Sequence, residues 1–144
     1  MKAKYGMRML VCLAVLTAAL FCMSCSSDES DTPAVESVNI SISIDYPEKA
    51  KLPDLKTLPF RIEEETSVLQ AIELYGSVNN TSVLVDTTYS TLEGIDGVVN
   101  GITLKSGEWK YQINGKELTK PMGDVILKDG DHLEFIYTKV KTEA

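Results

Sequence analysis

Residues 38 to 46 alternate strictly between apolar and polar side chains. The apolar positions are Val38, Ile40, Ile42, Ile44 and Tyr46, and each intervening residue is asparagine, serine or aspartate. A period of two places every apolar side chain on the same face of a β-strand. The pattern therefore predicts a strand with one buried face, which ends at Pro47 because proline has no backbone N–H to donate.

The next strongly periodic segment has helical rather than strand spacing. Val68, Leu69, Ile72 and Tyr75 fall on one face of a helix. Thr66 or Ser67 can cap its N-terminus, and Gly76 can adopt the left-handed conformation that ends a helix. We predict a helix of about ten residues, which must pack on a sheet because so short a helix is not stable alone.

Strand composition recurs in three shorter regions. Phe60–Ile62 is a predicted second strand, and residues 83–85 and 87–91 are rich in β-branched side chains. Glycines divide the following stretch into short pieces, in which Val98 and Ile102 are the predicted core anchors.

The clearest turn signals lie between residues 108 and 137. Asn114-Gly115 tolerates the positive φ angles of a tight hairpin turn, and Asp129-Gly130 supplies a second reversal. Three short strands are therefore predicted here, the last being the alternating run from His132 to Tyr137. With the upstream elements they predict an α+β fold, a β-grasp-like mixed sheet with one short helix packed on one face.

The first 24 residues have the layout of a bacterial export signal. Three basic residues precede the apolar run from Met9 to Phe21, which is too short for a comfortable membrane span. Ser24 is a small residue directly before Cys25, an arrangement that resembles a lipoprotein signal in which Cys25 is acylated after cleavage. Ordinary secretion with an unmodified cysteine is the alternative.

We therefore divide the chain into a lipoprotein signal peptide at 1–24, an acidic flexible tether at 25–36 and a β-grasp domain at 37–140. The tether is too poor in apolar side chains to offset the entropy of ordering. It also resembles the export signals of surface lipoproteins, although any solvated linker has a similar composition. The predicted localisation is the outer membrane, lipid-anchored, on its periplasmic or cell-surface face.

Charge and cysteine usage narrow the function classes. The formal net charge is −7, and removal of residues 1–24 takes away three basic residues and no acidic one, which leaves −10. Nucleic acid and anionic head groups are excluded as partners because both require a basic face. Cys12 and Cys22 leave with the signal and Cys25 carries lipid, so we expect no thiol chemistry. No motif pairs an acid with a base, and we expect neither an enzyme nor a metal site nor a catalytic cofactor.

Trp109 and Tyr111, two residues apart on one strand face, are the leading candidates for ligand binding. A lone tryptophan is often a core residue, yet Trp and Tyr also give a flat ligand apolar area at low entropic cost. Met122, in a loop flanked by proline and glycine, and Tyr89 complete the candidate surface. His132, the only histidine, is either a surface residue or a further ligand-facing one.

The order of several residues resembles a known domain. It comprises Thr66, Leu69 and Ile72 on the helix, then Gly94-Ile95-x-Gly97, Trp109-x-Tyr111-x-x-Asn114-Gly115 and Leu127-x-x-Gly130-Asp131-x-Leu133-x-Phe135-x-Tyr137. Over residues 37 to 138 this order resembles the small C-terminal β domain of the cobalamin carriers transcobalamin and intrinsic factor. The resemblance implies a bacterial lipoprotein that carries this domain and binds cobalamin or a related corrinoid.

Two functions follow as hypotheses. The first is a lipid-anchored extracytoplasmic binding module that captures cobalamin or a related corrinoid. The alternative is a non-enzymatic interaction subunit that docks on an outer-membrane transporter or a glycan-handling complex and binds no small molecule. A concave aromatic surface would favour the first, and a flat one would favour a protein partner.

Overall fold

The computed structural model describes residues 36–139. The predicted signal peptide at 1–24, the lipidation of Cys25 and the tether up to residue 35 lie outside these residues, as does position 140 at the end of the predicted domain. Within the described range, no helix is long and apolar enough to cross a membrane.

Eight strands and one α-helix are formed between residues 36 and 139. They are β1 Ser37–Asp45, β2 Leu55–Glu63, α1 Val68–Asn79, β3 Val83–Asp86, β4 Thr91–Ile95, β5 Val98–Val99, β6 Gly107–Ile113, β7 Lys116–Leu118 and β8 His132–Lys139. Short 3-10 turns cover Glu48–Ala50 and Met122–Asp124.

The main sheet has the strand order β2-β1-β8-β6-β7. Its two central strands, β1 and β8, run parallel, whereas β1 with β2, β6 with β8 and β6 with β7 are antiparallel. This is the β-grasp arrangement, so the predicted α+β fold is confirmed. A second sheet has the order β3-β4-β5 and contributes to the same core.

The inner face of the main sheet carries the core. Cross-strand partners on this face are Trp109 with Tyr137, Tyr111 with Phe135, and Ile113 with Leu133. The buried residues of α1 belong to the same hydrophobic cluster, and the Tyr75 ring lies with its centroid 6.2 Å from that of Phe60 on β2. The helix is thus stabilised by the sheet, as its short length requires.

Helix α1 begins as predicted but ends later. The Ser67 hydroxyl accepts a hydrogen bond from the Gln70 amide at 3.3 Å, and the Gln70 side chain accepts one from the Ser67 amide at 2.9 Å, which completes a capping box. The left-handed stop is Asn80, at φ 53°, so the prediction that Gly76 ends the helix is wrong. Gly76 instead permits close packing, since a Cβ there would lie 2.7 Å from Val83 Cγ2.

Strand β2 is longer than the predicted Phe60–Ile62. Pro59 lies inside it and is tolerated because β2 is an edge strand, where no outward N–H is needed. The β1–β2 register shifts between Ile42 and Ile44, and Thr57 in this bulge has a φ of 46°. The spacing of the prolines did not show that β2 continues to pair with β1 through both Pro59 and the bulge at Thr57.

The predicted strand at 87–91 is also wrong for residues 87 to 90. These residues form the turn between β3 and β4, and the Thr88 amide donates to Asp86 Oδ1 at 2.8 Å. Aspartate side chains favour such turns by accepting from the backbone two residues on. Val98 is buried, which confirms it as a core anchor, whereas Ile102 is 77% exposed and is not one.

Candidate functional site

A cavity of about 320 Å³ opens where the start of β4 faces β6 and the end of β7. We call it the Trp109 cavity. Its apolar lining consists of Leu92, Trp109, Tyr111, Leu118, Met122 and Phe135. Its polar lining consists of Ser90, Thr91, Glu93, Asn100, Glu108, Lys110, Glu117, Thr119 and Lys120.

The floor of the cavity is the set of lining residues that are buried: Leu92, Trp109, Tyr111, Met122 and Phe135. Strand alternation directs Trp109 and Tyr111 to the inner face of β6. Met122 comes from the 3-10 turn after β7, and its amide donates to the Ser90 carbonyl at 3.0 Å. That bond holds the turn against the residue preceding β4, so residues far apart in sequence meet at one floor.

The polar atoms of the floor side chains bind within the protein. Trp109 Nε1 donates to the Val98 carbonyl at 2.8 Å, and the Tyr111 hydroxyl donates to the Lys120 carbonyl at 2.6 Å. Burial, and then the negative charge of Asp124, raise the pKa of the Tyr111 phenol. Both aromatic side chains therefore present apolar ring surface to the cavity.

Asn100 joins the two walls of the cavity, a role that the sequence analysis missed. Its side-chain nitrogen donates to the Leu92 carbonyl on β4 at 2.8 Å, and its Oδ1 accepts from the Trp109 amide on β6 at 2.8 Å. The carboxamide thus substitutes for direct strand pairing between β4 and β6. The dipeptide Asn100-Gly101 indicates a turn in the sequence, but nothing in it specifies these two long-range partners.

Aromatic packing behind the floor fixes the Trp109 ring. Tyr137 and Tyr46 meet it edge to face, with centroid distances of 5.3 Å and 5.8 Å. The Tyr46 hydroxyl donates to Asp96 Oδ2 at 2.8 Å. Burial, followed by this hydrogen bond, raises the pKa of the Tyr46 phenol. Trp109 is therefore preorganised rather than free to change rotamer.

Three of the five charged lining residues pair with one another. Lys110 Nζ lies 3.0 Å from Glu117 Oε1 and 3.5 Å from Glu108 Oε1. The hydrogen bond to Glu117 is the main cause that raises the pKa of Lys110. Alternation along β6 places the Lys110 and Glu108 side chains on the opposite face from Trp109. The charges therefore lie outside the floor.

Three of the five predicted ligand-binding residues meet in this cavity. Trp109, Tyr111 and Met122 all belong to its floor, although each is at least 93% buried rather than part of an open surface, Met122 being only 2% exposed. Tyr89 is 69% exposed and is not a lining residue, but it directly precedes Ser90, which is one. Whether any of them binds a ligand remains a prediction.

His132 does not join the other candidates. It lies on the outer face of the main sheet, with Nδ1 2.7 Å from Ser41 Oγ and Nε2 3.4 Å from Ser43 Oγ. The parallel register of β1 and β8 sets Ser41 opposite His132. Among residues 36–139, no group of three or more His, Cys, Asp or Glu side chains is arranged to hold a metal ion.

Two solved structures are similar to this fold. Haptocorrin in complex with Cbi superimposes with a TM-score of 0.61 at 14% identity, covering 82% of this chain and 29% of haptocorrin. A Ruminococcus gnavus protein described as a "putative metal binding protein" superimposes with a TM-score of 0.50 at 14% identity, covering 72% of this chain and 99% of that one. The chain thus spans less than a third of haptocorrin, and at these identities the similarity is one of fold.

No curated protein sequence matches this chain. The predicted resemblance to cobalamin carriers is supported at the level of fold by haptocorrin. A family model described as "Domain of unknown function (DUF4430)" matches residues 65–139, which is more than half of the sequence. The chain therefore belongs to the DUF4430 family.

Proposed function

We propose that residues 36–139 form a non-catalytic binding module for a small molecule, with cobalamin or a related corrinoid as the ligand. The observation that carries the proposal is the Trp109 cavity, whose floor brings together Trp109, Tyr111 and Met122 beneath a polar rim. Concave apolar sites with a few polar groups at the edge are the usual form of small-molecule pockets. The fold similarity to haptocorrin, solved with Cbi, supports a corrinoid over other ligands.

The size of the cavity limits how a corrinoid would bind. A volume of about 320 Å³ lies at the lower end of the range for ligand pockets. A corrin ring with its amide arms is broader than this, so the cavity would receive one edge of the ligand. The rest would stay outside or contact a partner protein, which is consistent with a chain that spans only 29% of haptocorrin.

Titration calorimetry with cobalamin and with cobinamide tests this proposal. Thr119→Phe places a ring at the exposed edge of the cavity and should abolish binding, whereas Thr87→Phe, at an exposed threonine outside the lining, should not. Both variants keep the buried floor intact. Absence of heat from the wild-type chain up to about 1 mM ligand, where binding is worth about 4 kcal/mol, would reject corrinoid capture.

We further propose that Cys25 anchors the protein to the outer membrane through lipid. The support is the sequence around Cys25, a small residue before it and a polar acidic stretch after it. Several acyl chains hold a protein firmly on a membrane, whereas one is marginal. Cys25→Ala should therefore move the protein to the soluble fraction, and membrane association that survives the substitution would reject the anchor.

A second candidate function is docking on an outer-membrane transporter or a glycan-handling complex. Two exposed apolar side chains favour it, Tyr89 at 69% and Ile102 at 77% exposure. Aromatic side chains such as that of Tyr89 are enriched at protein interfaces. Tyr89→Ser with Ile102→Ser should then reduce co-purification with a transporter while leaving ligand heats unchanged, and unchanged co-purification would reject this candidate.

A further inference from the structure

We infer that the Trp109 cavity accepts an uncharged apolar group of its ligand and rejects an ionised one. This inference rests on the proposed function, because it names the chemistry of the group that enters the same cavity. The polar atoms of the floor are hydrogen-bonded within the protein, whatever the rest of the ligand is.

The floor offers a ligand no unsatisfied polar side chain. Trp109 Nε1 and the Tyr111 hydroxyl are both bound to backbone carbonyls, at 2.8 Å and 2.6 Å. The other three floor side chains are hydrocarbon or thioether. Between residues 36 and 139, no buried side-chain nitrogen or oxygen lacks a hydrogen-bond partner. A polar group placed at the floor would lose its water and gain no replacement.

No charged lining residue belongs to the floor, where an ionised group would need a partner. Glu93, Glu108 and Lys110 are half-buried, and Glu117 and Lys120 are exposed. Lys110 is engaged by Glu117 and Glu108, at 3.0 Å and 3.5 Å, on the face of β6 opposite Trp109. A ligand carboxylate would have to displace Glu117, and a ligand ammonium would find no carboxylate at the floor. Either ion would be desolvated without a partner, which costs far more than burying a neutral hydroxyl.

The mouth of the cavity has the opposite character. Ser90 and Thr119 bring hydroxyl groups there, and Lys120 is exposed beside them. These groups can bind hydroxyls or amides of a ligand in the presence of water. The ligand is therefore amphipathic, with its apolar group on the floor and its polar part at the mouth.

Three small molecules of similar size test the inference at neutral pH: 4-methylcyclohexanol, 4-aminocyclohexanol and 4-hydroxycyclohexanecarboxylate, each as the trans isomer. With the hydroxyl at the mouth, each directs a methyl, an ammonium or a carboxylate group to the floor. None absorbs where tryptophan is excited, and the chain has one tryptophan, so fluorescence reports on Trp109 alone. The full chain is used in detergent-free buffer, carried on phospholipid vesicles, because detergent would compete for an apolar cavity. We expect a saturable change with 4-methylcyclohexanol and at least about tenfold weaker binding of both ions, because either orientation of an ion leaves a polar group at the floor without a partner.

Two variants localise the effect. Thr119→Phe should abolish the 4-methylcyclohexanol response, and Thr87→Phe should preserve it. Tyr111→Phe removes the donor to the Lys120 carbonyl and so leaves an unpaired acceptor at the floor. In that variant the difference in affinity between 4-aminocyclohexanol and 4-methylcyclohexanol should narrow, which a purely structural role of Tyr111 would not produce.

Equal binding of the two ions and 4-methylcyclohexanol, or a 4-methylcyclohexanol response that Thr119→Phe leaves intact, would overturn the inference. A chain that binds cobalamin by calorimetry but none of the three probes would also overturn it while the proposed function stands. A chain that binds 4-methylcyclohexanol selectively but no corrinoid would support the inference and reject the corrinoid as ligand.

Discussion

The antiparallel pair β6–β8 has two ends that are held together in different ways. At the hairpin end, Asn114 donates from its side chain to Asp131 Oδ1 at 2.8 Å and accepts from the His132 amide at 2.9 Å. At the cavity end, Trp109 packs between Tyr46 and Tyr137 and donates hydrogen bonds to the Val98 carbonyl and to Asn100 Oδ1. Exposed polar contacts stabilise the hairpin end, and buried aromatic packing stabilises the cavity end.

This difference explains why a cavity forms at one end of the pair and not at the other. The hairpin end is closed by turn residues and their immediate partners, so its polar groups are already hydrogen-bonded within the protein. The cavity end depends on β4, β5 and the 3-10 turn at Met122–Asp124, which approach β6 without pairing fully with it. Incomplete pairing leaves a space that is lined by rigid rings, and such a space can bind a ligand.

The largest effect is expected for Trp109→Ala, at the cavity end. The ring is 7% exposed and in contact with two tyrosines, so its removal should lower the free energy of unfolding by about 3–5 kcal/mol. Urea denaturation followed by far-UV circular dichroism measures it. A loss below about 1 kcal/mol would mean that the cavity end is not part of the cooperative core. The size of the expected loss also makes this variant unsuitable as a binding control.

A smaller effect is expected for Gly107→Ala, at the start of β6. The added Cβ would lie 2.5 Å from Cε1 of Tyr137, so one of the two must move, at a cost of about 1–3 kcal/mol. Combining it with Tyr137→Leu should make the two effects less than additive, because the clash is then relieved. Strict additivity in denaturation experiments would contradict the close approach.

At the hairpin end, Gly115→Val should cost about 1–2 kcal/mol, since Gly115 has a φ of 76° that a β-branched residue adopts only under strain. Space is not the cause, because no heavy atom beyond Gly115 and its two chain neighbours lies within 4 Å of the position of an added Cβ. Lys116→Ala, at the neighbouring exposed position, is the control and should change stability by less than about 0.5 kcal/mol. Equal losses in the two variants would show that strain at the turn is not what holds this end.

The smallest effect at neutral pH is expected for Tyr46→Phe, which loses one hydrogen bond, worth about 0.5–1.5 kcal/mol. The variant and the wild type also differ in how their stability depends on pH in alkali. The folded state raises the pKa of Tyr46 above its ordinary 10.0, so above pH 10 the unfolded chain releases a proton that the folded chain retains. Stability therefore falls as pH rises above 10, and Tyr46→Phe should fall less steeply than wild type. If urea titrations show that wild type and Tyr46→Phe lose stability equally as pH rises, Tyr46 is not the cause of the alkaline loss.

Local signals in the sequence were sufficient for the elements that depend on neighbours in the chain. Alternation from Val38 to Tyr46 predicted β1, Ser67 capped the helix, and Asn114-Gly115 formed its hairpin turn with both residues at positive φ. Gly76 misled because a glycine serves equally to end a helix or to admit a close neighbour. Ile102 misled because an apolar residue in a glycine-rich stretch can be held outward by its loop.

The candidate site required contacts that no local pattern contains. Strand spacing selected Trp109 and Tyr111, and a loop flanked by proline and glycine selected Met122. Their burial and their convergence on one floor nevertheless depend on β4 and on the hydrogen bond from the Met122 amide to the Ser90 carbonyl. Alternation along β8 accounts for His132 on the face of the sheet opposite Leu133, but the partner Ser41 on that face comes from the pairing of β8 with β1.

By itself, the sequence determined the α+β class, the capped helix and the hairpins, because periodicity, caps and turn residues act over a few neighbouring positions. Only the tertiary structure decided that Asn100 would bridge Leu92 and Trp109, and that a cavity rather than a flat aromatic surface would result. The physical reason is that cavities are left by elements that pack without pairing fully. Their shape therefore depends on the distances between segments that the order of residues along the chain does not encode locally.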